Sequence, residues 1–171
     1  LQNAVDQFAN NYYSELSATH YVATAAANAP FDELKKSALF QLADEQRHLE
    51  MDREVFERAR IPESDWLAAW ESPGTTCRFF RHLLELEDSI EILVKGNFVA
   101  EGAAGPGTFT VLADGAEARG DVLSAVNHRA RIRDETRHIS YGRALVKALI
   151  EDDRSNLDTI QQWQDDSLHL F

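Results

Sequence analysis

Two pentapeptides, Asp44-Glu45-Gln46-Arg47-His48 and Asp134-Glu135-Thr136-Arg137-His138, are identical at four of five positions and lie ninety residues apart. Each lies in a long stretch in which apolar residues recur every three or four positions, the pattern of an amphipathic helix. Because residues three apart share one face of a helix, the glutamate and the histidine of each copy can bind the same cation. The repeat therefore predicts two Glu-x-x-His pairs and, with them, a site for two metal ions.

The composition indicates a single acidic domain spanning residues 1–171. The chain has 17 Lys and Arg against 29 Asp and Glu, and its length is sufficient to bury a substantial apolar core. Nucleic acid is excluded as a partner because phosphate binding needs a basic face, and no run of eighteen apolar residues is present that could span a membrane. The single Cys77 fits a reducing compartment, and the first residues lack the pattern of a signal peptide. We therefore expect a cytoplasmic protein.

The first half of the chain predicts a pair of antiparallel helices. Only four Pro and eight Gly interrupt the sequence, and the first two helical stretches are predicted at Gln2–Asn28 and Asp32–Arg60. Glu15 interrupts the apolar stripe of the first helix, and a buried carboxylate is costly unless it is paired, protonated or bound to a metal. Glu15 and Glu45 are equidistant from Pro30, so that the two carboxylates come level in an antiparallel pair.

The second half repeats this arrangement. A helical stretch is predicted over Thr76–Asp114, and a further one, containing Glu135, ends near Ile150. Glu101 and Glu135 are equidistant from Ala118 and should also come level. The inner stripe of the third stretch is predicted to carry Phe80, Leu84, Glu87, Val94, Phe98 and Glu101. The chain thus predicts an all-α fold of two helical hairpins, each with one lone glutamate and one Glu-x-x-His.

From about Tyr12 to Leu149, this pattern resembles the ferritin-like di-iron carboxylate proteins, a family of four-helix bundles with two metal-bound Glu-x-x-His pairs. It is most similar to their oxygen-activating branch, which includes the bacterial multicomponent monooxygenases and the small subunit of ribonucleotide reductase. The resemblance implies that the metal ligands and catalytic residues are Glu15, Glu45, His48, Glu101, Glu135 and His138. Asp44 and Asp134 match the carboxylates that support the ligands in this family.

A ligating histidine needs a hydrogen-bond acceptor at its second ring nitrogen, which fixes the tautomer. We expect Asp134 to serve His48 and Asp44 to serve His138, each from the opposite hairpin. The arginine of each pentapeptide would brace these aspartates or face solvent.

The resemblance also implies a connection that travels the length of the bundle between the two hairpins. The fourteen residues 61–74 can stretch at most about 50 Å. The connection is therefore predicted to include a short helix near Ser64–Trp70 and the stretch Thr76–Asp88, with the third bundle helix beginning thereafter. A simple up-down-up-down bundle is the alternative. The tail, Ser155–Phe171, opens with a Ser-x-x-Asp cap signal and predicts a short C-terminal helix.

Glycine and proline are concentrated in Glu101–Gly107, and both destabilise a helix interior. We predict a distorted helical turn here, with Gly102 and Gly105 lining a cavity for oxygen and substrate. A helix end followed by a loop is the alternative. The monooxygenases usually have a threonine one turn after this glutamate, where the present chain has Gly105.

The favoured function is a non-haem di-iron oxygenase that activates O2 to hydroxylate, desaturate or N-oxygenate a small organic substrate, supplied with electrons by an external donor. The ligand set tolerates Fe/Mn or Mn in place of two Fe ions. The alternative is a bacterioferritin-like or rubrerythrin-like ferroxidase or peroxide scavenger. A radical-generating subunit is disfavoured because Asp52 stands where the radical tyrosine is expected, and a purely structural bundle would leave six inward polar groups without a reason. The oligomeric state is left open, a homodimer included.

Overall fold

The computed structural model describes residues 2–60, 62–71 and 76–170, and within these ranges helices are the only regular structure. The all-α prediction is therefore confirmed. In chain order the elements are α1 (Gln2–Asn28), α2 (Asp32–Ala59), α3 (Glu63–Trp70), α4 (Cys77–Leu84), α5 (Ser89–Leu93), a π-helical segment (Val94–Ala100), α6 (Glu101–Ala118), α7 (Val122–Asp152) and α8 (Asn156–Leu168).

Local backbone chemistry ends the long helices close to the predicted positions. Phe31 is extended immediately before α2, and Arg60 adopts a left-handed conformation with φ 53° at its end. Gly120, with φ 74°, makes the turn between α6 and α7, a conformation that glycine adopts without strain. The Asp121 side chain then accepts a hydrogen bond from the Ser124 N–H and caps α7.

Hydrogen bonds between α2 and α7 establish the directions of the four long helices. Asp44 bonds to His138 and His48 bonds to Asp134, so that α2 and α7 are antiparallel. Because α7 is also antiparallel to α6, to which it is joined by a short turn and against which it packs, α2 and α6 are parallel. Parallel helices of this kind need a connection that runs the length of the bundle. The predicted crossover is confirmed, and the up-down-up-down alternative is wrong.

The crossover packs against α1 and α2 through aromatic side chains. The Trp66 ring stacks on Phe56 with centroids 3.9 Å apart, and Trp70 stacks on Tyr13 at 5.7 Å. The prediction that Leu84 and Glu87 lie on one continuous inner stripe is wrong, since both are exposed. The chain turns between α4 and α5. The inward face of α4 therefore does not continue into the third bundle helix.

The tail forms α8, which packs on the π-helical segment and α7 and buries Ile160. The short C-terminal helix is confirmed, but the Ser155 cap is not formed. Instead, the Asp153 side chain accepts a hydrogen bond from the Ser155 N–H. Among the described residues, none of the helices combines the length and the hydropathy of a membrane-spanning segment.

Candidate metal centre

Four bundle helices bring six donor side chains together in the interior. α1 supplies Glu15, α6 begins at Glu101, and the Glu-x-x-His pairs come from α2 and α7. The two imidazoles and three of the carboxylates are buried, and the Glu101 side chain is 13% exposed. The complete set is Glu15, Glu45, His48, Glu101, Glu135 and His138, which are the six residues named from the sequence.

The first group of donors surrounds the imidazole of His48. Its Nδ1 atom lies 3.4 Å from Glu15 Oε2, 3.4 Å from Glu45 Oε2 and 3.5 Å from Glu135 Oε1. One ligand atom from each of these four residues lies within 4.8 Å of the others. A carboxylate-rich set with one imidazole is suited to iron or manganese.

The second group surrounds the imidazole of His138. Its Nδ1 atom lies 3.4 Å from Glu45 Oε1, 3.6 Å from Glu101 Oε1 and 3.9 Å from Glu135 Oε2. Glu45 and Glu135 therefore direct one oxygen toward each imidazole. Glu15 and Glu101 each belong to one side only, whereas Glu45 and Glu135 lie between the two imidazoles.

Three buried atoms of the centre have no hydrogen-bond partner: the Nδ1 atoms of His48 and His138, and Oε2 of Glu101. Buried polar atoms in proteins are nearly always paired. Each unpartnered atom belongs to a proposed ligand, and both imidazoles turn their Nδ1 toward the carboxylates. The donor set and its unpartnered atoms fit a pair of divalent cations.

Burial and mutual repulsion act on the carboxylates. Burial, helped by the nearby charges of Glu45 and Glu15, raises the pKa of Glu101 to about 7 despite the opposing effect of His138. Burial also raises the pKa of Glu135 well above its ordinary value. Cations placed among these groups would offset the repulsion that disfavours their charged forms.

The Nε2 atom of each imidazole contacts an aspartate of the opposite hairpin. His48 Nε2 lies 3.2 Å from Asp134 Oδ2, and His138 Nε2 lies 3.2 Å from Asp44 Oδ2. Arg47 donates to both aspartates. Arg137 contacts both as well, at 2.8 Å and 2.7 Å. These contacts leave Nδ1 of each ring facing the carboxylates, which is the orientation that a metal ligand requires.

Sequence reasoning missed a buried ion-pair network behind the His48 side of the centre. Arg131 is fully buried and donates to Glu15 Oε1 at 2.8 Å and to the His48 carbonyl at 2.8 Å. It also lies 2.7 Å from the carboxylate of Asp52, which is itself fully buried. Burial raises the pKa of Asp52 to about 6 even beside this guanidinium.

A second missed group lies beside Glu101. The Gln41 Nε2 atom donates to Glu45 Oε1 at 2.9 Å and to Glu101 Oε1 at 3.1 Å, and the Gln41 and Asn97 amides bond to each other. A sequence signal was available for both groups, because each missed polar residue lies four positions from a ligand on the same helical face. These residues are Gln41, Asp52, Asn97 and Arg131.

A cavity of about 150 Å³ adjoins the four carboxylates. Gly105 is among the residues that line it, and a methyl group added there would lie 3.4 Å from Ile139 Cδ1. Gly102, also predicted to line the cavity, is exposed and is not among the lining residues. The prediction of a distorted helical turn at Glu101–Gly107 is wrong, because that stretch is α-helical. The distortion lies immediately before it, in the π-helical segment. Short π-helical segments are frequent at functional sites.

Residues 6–153 match the family described as Methane/Phenol/Alkene Hydroxylase, and the chain belongs to this family. Among solved structures it is similar to toluene 4-monooxygenase, determined with toluene bound in the resting active site. The TM-score is 0.80 at 22% identity, and the match covers 95% of this chain and 56% of that chain. This likeness shows the fold, and the chain spans little more than half the length of the relative. No curated protein sequence matches the chain significantly.

Proposed function

We propose that the bundle holds two iron ions and uses them to oxidise a small organic substrate with O2. The observation that carries this proposal is the placement of Glu45 and Glu135, each of which offers one oxygen to the His48 side and one to the His138 side. Residues placed in this way would hold two metal ions next to each other. Glu15 and Glu101 complete the two sides.

Charge balance supports divalent cations at this position. Four carboxylates offset the +4 charge of two ferrous ions, while the buried Arg131 and Asp52 lie 2.7 Å apart and offset each other. When bound, the two ions would supply open coordination positions and the electrons for reaction with O2. The choice of iron is the more specific part of this proposal, because manganese binds to the same donor residues.

The protein side chains have separate roles in this scheme. Asp44 and Asp134 fix the orientation of the two imidazoles, and Gln41 holds the Glu101 carboxylate by hydrogen bonding to Oε1. The cavity beside Gly105 positions the substrate against the carboxylates and limits the water that can reach them. Asp52 occupies the position expected for a radical tyrosine, and it is paired with Arg131. The radical-generating alternative therefore remains disfavoured.

The cavity favours substrate oxidation over iron storage. A ferroxidase needs a path for iron, whereas this cavity is lined mainly by carbon atoms of residues such as Ala18, Phe80 and Phe109. Membership in the hydroxylase family supports the same function. We further propose an external electron donor and additional protein components, because a hydroxylase of this family needs electrons that the described residues do not themselves supply. A homodimer is part of the same proposal.

Metal content and oxygen reactivity test the proposal. We expect about two ferrous ions per chain after anaerobic loading, and loss of most of this metal in His138→Ala. His169→Ala, which removes an exposed histidine, is the matched control and should bind metal normally. On exposure to O2, small ring compounds should alter the rate of the absorbance change of the loaded protein. Growth of a ferric mineral, unaffected by such compounds, would instead establish a storage function.

A further inference from the structure

The cavity beside the candidate metal centre lies at one end of a series of neighbouring aromatic rings. The rings come from α1, α2, α3 and α4, and each lies next to the following one. In order from the cavity they are Tyr21, Phe80, Trp70, Tyr13, Tyr12, Trp66 and Phe56. The chain has three Trp and four Tyr, and most of them belong to this series. The readily oxidised rings of the protein are therefore concentrated on one path.

Tyr21 is the inner end of the series. It is 3% exposed and lines the cavity together with the four carboxylates of the centre. Its ring occupies the space left by the missing side chain of Gly96, where a methyl group would lie 3.1 Å from Tyr21 Cε2 and 3.3 Å from its hydroxyl oxygen. Burial and the charges of the carboxylates, with Glu101 acting most strongly among them, raise the pKa of Tyr21 well above its ordinary value. A protonated phenol thus lies beside the centre without being one of the six donors.

Three ring contacts lead outward from Tyr21. Its ring stacks on Phe80 with centroids 6.4 Å apart, and the Phe80 and Trp70 centroids are 6.1 Å apart. Trp70 in turn stacks on Tyr13 at 5.7 Å. Trp70 is buried, whereas Tyr13 is only half-buried. The series therefore begins in the interior, beside the centre, and reaches a ring that solvent can approach.

Packing alone does not account for the composition of this path. Aromatic rings fill protein cores efficiently, but a phenylalanine at position 21 would fill the same space without burying a hydroxyl, which is a costly group to remove from water. Indole and phenol are the aromatic side chains that lose one electron most readily. Tyr21, Trp70 and Tyr13 supply this chemistry in sequence, with the Phe80 ring in contact with both Tyr21 and Trp70.

We propose that this series protects the candidate metal centre by carrying oxidising equivalents from the cavity to the protein surface. The inference rests on the proposed function, which supplies the oxidant from O2. When no substrate is present, Tyr21 gives up a hydrogen atom, that is, one electron and its phenolic proton, and the oxidant is reduced by one electron. The resulting radical is transient and is not a stored cofactor.

The later steps return Tyr21 to its starting state. Its phenoxyl radical takes an electron from Trp70, through the Phe80 ring, and a proton from water. The Trp70 radical takes an electron from Tyr13, whose phenolic proton passes to solvent, so that protons balance. The Tyr13 radical takes a hydrogen atom from a thiol in solution, and two thiyl radicals combine as a disulfide. Each event therefore consumes one thiol and spares the side chains of the cavity.

Flash photolysis of the metal-free protein tests the transfer between rings. When Trp66 and Trp163 are replaced by phenylalanine, Trp70 is the remaining tryptophan, and a laser flash can ionise it selectively. We expect the indolyl absorbance to decay as tyrosyl absorbance rises, at a rate independent of protein concentration. Tyr13→Phe should remove the fast phase, whereas Tyr141→Phe, outside the series, should retain it. An unchanged fast phase in Tyr13→Phe would overturn the proposed path.

Rapid freezing and electron paramagnetic resonance test the same path in the iron-loaded protein, whose wild-type fold is unaltered. Mixing with O2 in the absence of substrate should give a radical signal that narrows with ring-deuterated tyrosine and is lost on addition of a thiol. Tyr21→Phe should abolish this signal. In Trp70→Phe the oxidising equivalents should remain at the cavity, so that peptide mass spectrometry finds more oxidised Tyr21 than in wild type or in Trp163→Phe.

The outcomes separate this inference from the proposed function. Metal binding and O2 reactivity without a tyrosine radical would overturn the protective path and leave the proposed function intact. A protein that binds no metal would remove both, and metal analysis identifies that case. Equal oxidation of Tyr21 in wild type and Trp70→Phe would also contradict the path, because Trp70 would then carry nothing away from the cavity.

Discussion

The carboxylate of Asp134 accepts a hydrogen bond from His48 Nε2 at 3.2 Å, although the two residues lie on different hairpins. Asp44 and His138 repeat the contact at the same distance. These two bonds tie α2 to α7 and also direct both Nδ1 atoms toward the carboxylates. The interaction that joins the halves of the bundle is thus the one that orients the candidate metal ligands.

Replacing Asp134 with asparagine should weaken metal binding while the fold is retained. The amide is a poorer acceptor for the His48 ring and loses the charge that pairs with Arg47 and Arg137. Loss of such a supporting group typically lowers metal affinity about 10-fold to 100-fold. Competition with a chelator of known affinity measures the change.

The matched control for this prediction is Asp114→Asn. Asp114 is exposed and paired with Arg129 on the surface of the bundle, so its replacement should leave metal affinity unchanged. Equal affinities for wild type and Asp134→Asn would mean that the histidine orientation does not depend on this carboxylate.

Arg131→Met should be among the most destabilising substitutions in the chain. It leaves the fully buried Asp52 without its counterion and removes the guanidinium that contacts Glu15. Breaking a buried ion pair from one side typically costs about 3–5 kcal/mol. Urea denaturation of the metal-free protein measures the free energy of unfolding.

Two variants show whether the cause is the unpaired charge. The double variant Arg131→Met/Asp52→Leu removes both charges and should recover part of the lost stability. Arg53→Met breaks only the exposed pair with Glu57 and should cost less than about 1 kcal/mol. A double variant no more stable than Arg131→Met would assign the loss to packing or to the bond with the His48 carbonyl.

Gly142→Ala should disturb the π-helical segment. A methyl group at this position would lie 2.9 Å from Asn97 Cβ and 3.0 Å from the backbone nitrogen of Phe98. Such overpacking typically costs about 1–3 kcal/mol. Gly107→Ala is the control, because its methyl group meets nothing within 4 Å and alanine should stabilise the helix by about 1 kcal/mol. Thermal unfolding measures both changes, and a stabilised Gly142→Ala would contradict the close packing of α7 against this segment.

His128 should make the protein less stable in acid. Burial, with a smaller effect of the Arg131 charge, lowers the pKa of His128 to about 4. An unfolded histidine has a pKa of about 6.5. The unfolded chain therefore binds more protons between these values, and the stability due to the neutral ring is lost as pH falls through that window, by up to about 1.4 kcal/mol per pH unit.

The comparison of wild type with His128→Gln measures this contribution. The variant cannot titrate at this position, so its free energy of unfolding should depend less steeply on pH between about 4 and 6.5. His169→Gln controls for the loss of a histidine at an exposed position. Parallel pH profiles for wild type and His128→Gln would show that the ring is accessible to protons in the folded protein.

The helices and their pairing were predictable because the sequence carries two signals, the helical periodicity and the equal distances of paired glutamates from a turn. Helical periodicity locates Glu15 and Glu135 on inner faces, and the equal distances from Pro30 and Ala118 set the height of each pair. The structure brings these side chains to the His48 imidazole. The crossover was implied by the family resemblance, and chain length added that it extends beyond residues 61–74, since so short a segment cannot travel the length of a bundle once part of it is helical.

The π-helical segment was not predictable from composition. Its residues, Val94–Ala100, have the pattern of an ordinary helix, and the shift to a wider turn depends on tertiary packing, such as the close approach of Gly142. The buried Arg131 was missed for a different reason. A charged residue on a helix is normally assigned to the surface, and only its contacts with Asp52 and Glu15 make burial acceptable.

Anomalous diffraction from crystals of the iron-loaded protein, recorded at the iron absorption edge, tests the central claim most directly. The account predicts two peaks per chain, one beside His48 Nδ1 and Glu15 and the other beside His138 Nδ1 and Glu101, with Glu45 and Glu135 between them. A single peak, or peaks on the surface of the bundle with the six donors unaltered, would contradict it.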